Sequence, residues 1–167
     1  MDPFALDDRW TPVSPRLRTL RRALLGTVVG VAGLLALGSS LLVVLFGDAG
    51  PGAVVAAVSV AVLLGGGALA WRLIDRNYQA WGYAERDEDL LVVRGWLFRR
   101  MVVVPYGRMQ FVDVTAGPLQ RRFDLATVQL HTAAAASDAR IPGLPPDEAH
   151  RLRDTLARLG EARSAGL

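Results

Sequence analysis

Between Ala23 and Phe46 lie 24 consecutive residues without a charged side chain, and this run restricts the fold more than anything else in the chain. Inside a bilayer no water reaches the backbone, so such a run must satisfy its own N–H and C=O groups, as a helix does. At 1.5 Å per residue it extends about 36 Å, enough to cross a hydrocarbon core of about 30 Å. A signal-peptide core would be about 7–15 residues long, so the run is expected to be retained. Arg21-Arg22 ahead of it suggest twin-arginine export, but no cleavable signal follows. A second apolar run, Ala53 to Leu69, continues to Trp71 and Ile74. The six residues Gly47–Gly52 between the runs predict a tight polar turn, which permits only an antiparallel hairpin.

Charge placement orients that hairpin. Arg9, Arg16, Arg18, Arg21 and Arg22 precede the first span, Arg72 and Arg76 follow the second, and the turn carries only Asp48. Positive charge flanks cytoplasmic ends, so both termini are expected inside, with Trp71, Tyr78 and Trp81 as an interfacial belt. Residues 1–22, with prolines at 3, 12 and 15, read as a cytoplasmic lead-in that is not helical before about Arg16. All 19 basic residues are arginine, which together with the Ala, Gly and Val excess fits a GC-rich bacterial genome and hence a plasma membrane. Small residues recur in the spans: Gly26, Gly30 and Gly33 in the first, Ala53, Ala57, Ala61 and Gly65 in the second. Such seams let helix backbones approach closely, either within the hairpin or between copies. Thr27, Ser39, Ser40 and Ser59 are the only polar side chains in the spans, too few for an ion pathway.

Beyond residue 75 the pattern changes period. Val112 and Val114 alternate with Phe111, Asp113 and Thr115, and Ala126, Val128, Leu130 and Thr132 alternate with Thr127, Gln129 and His131, as in strands with one buried face. Strands are expected over 78–86, 90–94, 98–104, 109–115 and 125–132, with a further short piece near Arg140-Ile141. Pro146 at a first helical position, Asp147 and Glu148 behind it, and Ala149, Leu152, Leu156 and Leu159 at helical spacing predict a closing helix that stops at Gly160. Asp147–Arg151 and Asp154–Arg158 have the spacing of supporting i,i+4 pairs. Residues 161–167 read as a flexible tail.

The segments Gly95-Trp96-Leu97-Phe98, Pro105 to Gln110, Gly117-Pro118-Leu119-Gln120-Arg121-Arg122-Phe123 and Leu125-Ala126-Thr127-Val128 resemble the bacterial pleckstrin-homology domain of YdbS-like membrane proteins, and Gly143-Leu144 with Glu148-Ala149 fit its closing motif. The resemblance covers about Trp71 to Leu159. It implies a membrane hairpin of two transmembrane helices (23–74), then a cytoplasmic, mainly-β pleckstrin-homology-like domain (75–160) closed by a C-terminal helix. Two positions depart from the family pattern: Asp124 stands in place of a glycine, and Ala134-Ala135 replace glycines. Asp tolerates a left-handed backbone better than most residues, so the turn at 124 is expected to survive.

Candidates for chemistry are few. With no cysteine, neither a disulfide framework nor a thiolate metal site exists. His131 and His150 have no third partner at triad or metal spacing, and Asp113 and Asp124 are isolated acids near turns. No cofactor, no metal and no enzymatic activity are expected. A net charge of +3 is too modest for a nucleic-acid surface. Arg99, Arg100, Arg108 and Arg122, in turns and loops with apolar neighbours, are the candidate contacts for lipid headgroups or a protein partner. Two functions follow. One is a membrane-anchored scaffold that assembles with its own copies or with a larger membrane protein carrying related domains, through the apolar strand Met101 to Val104 and the small-residue seams. The other is a headgroup-sensing module.

Overall fold

The computed structural model describes residues 10–46, 49–133 and 138–164. Residues 47, 48, 134, 135 and 165–167, on which part of the predicted turn, the two alanine replacements and most of the predicted tail fall, lie outside the described residues. By its internal contacts the chain divides into two compact units, one of Arg21–Asp75, the other of the chain up to Leu20 together with Arg76 onward.

The first unit is the helical hairpin. Helix α1 runs Pro15–Phe46 and helix α2 Ala49–Gln79. Both carry apolar windows long enough to cross a bilayer, and almost none of those windows is buried inside the protein. Leu34, Leu35, Val62 and Leu64 are exposed, as lipid-facing residues should be. The polar turn is shorter than expected: Gly50 to Gly52 already belong to α2. Proline fits there because a first helical turn has no use for its missing N–H. Arg22 closes the open end, donating to Asp75 at 2.6 Å with its guanidinium 4.4 Å from the Trp71 ring.

The second unit is a pair of antiparallel sheets capped by a helix. Strands β1 (Thr11–Pro12), β2 (Gly82–Glu85), β3 (Asp89–Arg94) and β4 (Arg100–Pro105) form one sheet in chain order. After a short helical turn, Tyr106–Arg108, strands β5 (Met109–Thr115), β6 (Ala126–Thr132) and β7 (Ala139–Leu144) form the other. A single helical turn, α3 (Pro118–Arg122), links β5 to β6, and α4 (Pro146–Ser164) packs on β5 and β6. Leu90, Val92, Val104, Leu125, Val128, Leu130, Ile141, Leu152 and Leu156 form one core between the layers, the layout the alternating patterns predict.

Four expectations need correction. The strand over 78–86 is only Gly82–Glu85, because nothing in Arg76–Gln79 breaks the helix and α2 runs on. Tyr78 and Trp81 pack partly buried against the β-domain core, and the Tyr78 hydroxyl donates to the Val13 carbonyl at 3.0 Å. The lead-in contributes to that core as well: Val13, Leu17 and Leu20 are buried in it, and Ser14 N–H donates to the Gly143 carbonyl at 2.9 Å. Gly143 permits this close packing; it sits at φ 75°, and a Cβ there would stand 2.7 Å from Leu17. Finally, α4 passes through Gly160 to Ser164, and its expected i,i+4 ion pairs are replaced, Arg158 donating only to the Asp154 backbone carbonyl at 3.3 Å. Arg151 pairs with Glu85 and Glu148, while Asp154 pairs with Arg153.

Candidate interaction surface

The second sheet ends on β5, and among the described residues no strand pairs with its outer edge. A β-bulge interrupts the β5–β6 register between Met109 and Phe111. Regular strands send alternate side chains to opposite faces; here four successive residues, Met109 to Val112, line one groove. Leu156, Ala157, Gly160 and Glu161 of α4 form the other wall of this cleft of about 300 Å³. Gly160, expected to stop the helix, instead keeps that wall low: a Cβ there would meet Met109 at 3.5 Å and the Tyr106 carbonyl at 3.6 Å. Phe111, 53% exposed, stacks on His131 across the strands with ring centroids 4.3 Å apart. The Asp138 carboxylate lies 3.1 Å from His131 Nδ1 and accepts from the Thr132 N–H, a bond that holds its pKa below the ordinary value. A strand edge beside a helix is the geometry in which an extended segment can add to a sheet.

The four arginines singled out by sequence do not form one cluster. Arg99 lies on the β3–β4 connection and Arg100 opens β4, both exposed. Arg108 lies beyond the opposite end of β4, a strand length of about 17 Å away. Arg122 ends α3, exposed, at the corner where Asp124 takes φ 49° and meets Arg16 at 3.4 Å. That corner is built by Gln120, whose side-chain carbonyl accepts from Gly117 N–H and whose amide donates to Thr127 Oγ1, both at 3.0 Å. Of the apolar strand Met101 to Val104, only Val103 is substantially exposed, at 45%.

Within the hairpin the small residues divide. A Cβ on Gly26, Gly30 or Gly65 would meet nothing within 4 Å, whereas Gly33 faces Leu63, Gly67 faces Val29 and Gly52 faces Val44. Ala57 and Ala61 are exposed on α2. Contacts thus fall on Gly33, which the sequence reading selected, and on Gly52 and Gly67, which it did not.

A polar network ties α4 to the first sheet. The buried Tyr83 hydroxyl donates to Glu148 at 2.8 Å, and Arg151 bridges Glu148 and Glu85 at 2.7 and 2.6 Å. Arg151 holds the Glu148 carboxyl below its ordinary range, while burial, with the neighbouring Glu148, drives the Tyr83 phenol up. Tyr106, whose hydroxyl donates to the Arg86 carbonyl at 2.8 Å, is pushed up to about 12, chiefly by burial. Both phenols therefore stay protonated at neutral pH as structural donors. Among the described residues no three His, Cys, Asp or Glu side chains converge as a metal site. His150 is exposed on α4.

Comparison with known proteins agrees with this architecture. The family described as Bacterial PH domain matches residues 23–160, helices and sheets together. The chain is also similar to the UPF0699 transmembrane protein YdbS of Bacillus subtilis (strain 168), 37% identical over 83 residues, which are 50% of this chain and 51% of that protein. The aligned part thus spans about half the length of the curated relative. No solved structure matches. With two membrane-length helices, a two-sheet domain closed by α4 and a family match running through both units, this chain belongs to the bacterial PH domain family.

Proposed function

We propose that the chain is a non-enzymatic assembly subunit of the bacterial plasma membrane. Its hairpin crosses twice with both termini in the cytoplasm, and its PH domain takes an extended segment of a partner into the β5–α4 groove. That a membrane-associated PH module is present follows from the family; the scaffold role is our reading. The observation that carries it is the unpaired outer edge of β5 beside an open groove. Such edges recruit strands unless they are covered. The partner is a second copy or a larger membrane protein with related domains. Anchoring both in one bilayer raises their effective concentration, so a weak strand addition suffices. Purification from native membranes in mild detergent, followed by mass measurement, should give a complex larger than the 18.0 kDa chain. Phe111→Asp, which puts a charge in the groove and leaves the core untouched, should reduce it to the monomer. A monomer at native expression would refute the assembly reading.

The orientation rests on the arginines around Ala23 and Trp71. A cysteine replacing Gly50 should react with an impermeant thiol reagent in intact cells, and one replacing Gln120 should not. Labelling at Gln120 alone would reverse the topology. Headgroup sensing by the four arginines as one site is the weaker reading, because Arg108 stands a strand length from Arg100.

A further inference from the structure

The connection between β3 and β4, with the flanking residue of each strand, reads Arg94-Gly95-Trp96-Leu97-Phe98-Arg99-Arg100, and its tip is the most exposed apolar feature described in the β-domain. Leu97 is 67% and Phe98 80% exposed, beyond any other large apolar side chain described outside the spans. Two adjacent exposed residues of this size at a loop tip are unusual for a surface that meets only water. The tip is also pre-shaped. Gly95 takes φ 87°, and a Cβ there would stand 2.3 Å from the Phe98 carbonyl oxygen, so only glycine closes the turn. Arg94 and Arg100 are register partners at its base, and the seven residues contain three arginines and no acid.

The Arg76 guanidinium sits 5.3 Å from the Trp96 ring centre. Arg76 follows Trp71, near the end of the apolar stretch, by five residues of the same helix, a rise of about 8 Å. Along the chain, the residue that Trp96 meets thus follows the apolar stretch by little more than one helical turn. Aromatic rings seat at the membrane interface, and arginine stems snorkel from apolar surface towards phosphates.

We infer that Leu97 and Phe98 insert into the headgroup–acyl boundary of the leaflet where α2 ends, with Trp96 at the interface and Arg99 and Arg100 on anionic lipid phosphates. Lipid is favoured over a protein partner because the tip joins an apolar wedge to a wholly basic base, matching an anionic leaflet. This contact is separate from the β5–α4 groove and stands or falls without it.

The chain has no cysteine, so a single environment-sensitive fluorophore can be placed on Leu97→Cys of the full chain, with Phe98→Cys as a second probe and Asp113→Cys on β5 as control. In vesicles of phosphatidylcholine and phosphatidylglycerol, both tip probes should shift to the blue and lose most of their emission to lipids brominated on the acyl chains. The Asp113→Cys probe should do neither. Replacing Arg99 and Arg100 together by Gln should weaken the quenching at the tip. Tip probes as water-exposed as the control would overturn the inference. So would probes shielded from aqueous iodide yet untouched by brominated chains, since that result assigns the tip to a protein contact.

Discussion

Asp124 is the one non-glycine residue among those described with a left-handed backbone, at φ 49°. A Cβ in that region costs about 1–2 kcal/mol, which Asp offsets in part by local hydrogen bonding. The Arg16 contact adds little, because both side chains are more than half exposed. Asp124→Gly should therefore be neutral or stabilising by up to about 1 kcal/mol, and Asp124→Val destabilising by about 1–2 kcal/mol or more. Thermal unfolding of the detergent-solubilised full chain measures both, and equal stability of all three would mean the corner carries no backbone strain. The position was legible beforehand because a family glycine marks where a positive φ is needed. Gln120 was not, since a glutamine bonding Gly117 and Thr127 looks in sequence like any polar loop residue.

Helix α4 shows where element-level reasoning held and where it failed. Of its apolar stripe, Ala149, Leu152 and Leu156 are fully buried as the helical period requires, and Leu159 packs partly buried against the same core. Its ion pairs were misread because i,i+4 spacing describes an isolated helix, while here Arg151 reaches Glu85 on β2. Glu148 is held below its ordinary value of 4.5 by that arginine. A carboxylate with a depressed folded pKa contributes stability that is complete above its unfolded pKa and lost as pH falls through the folded one. Stability should thus be flat from neutral pH down to about 5 and fall below about 4.5. Glu148→Gln, which keeps an acceptor for Tyr83, should lower stability at pH 7 and flatten the acid limb. Parallel acid limbs for the two proteins would show that the network contributes nothing to α4 docking.

At the scale of the molecule, the PH domain is discontinuous in sequence. Val13, Leu17 and Leu20, ahead of the first span, complete a core otherwise made after the second. Burying each such side chain contributes about 1.5–3 kcal/mol, so a fragment beginning at residue 76 should be markedly less stable than the whole chain. The signal was present, since 13, 17 and 20 have helical spacing, but the prolines and arginines around them read as a solvated lead-in. The spans and the β5 and β6 alternations were legible because each depends on local period alone. The β5–α4 groove was not, because it arises where a bulge and a glycine from distant segments meet. The central claim is that this groove receives a partner. A photocrosslinking residue at Gln110, in native membranes at native expression, should yield an adduct with a second copy or a larger membrane protein. The same residue at His150 should yield none, and Phe111→Asp should abolish the adduct at Gln110. No adduct at Gln110, or equal adducts at both positions, would contradict it.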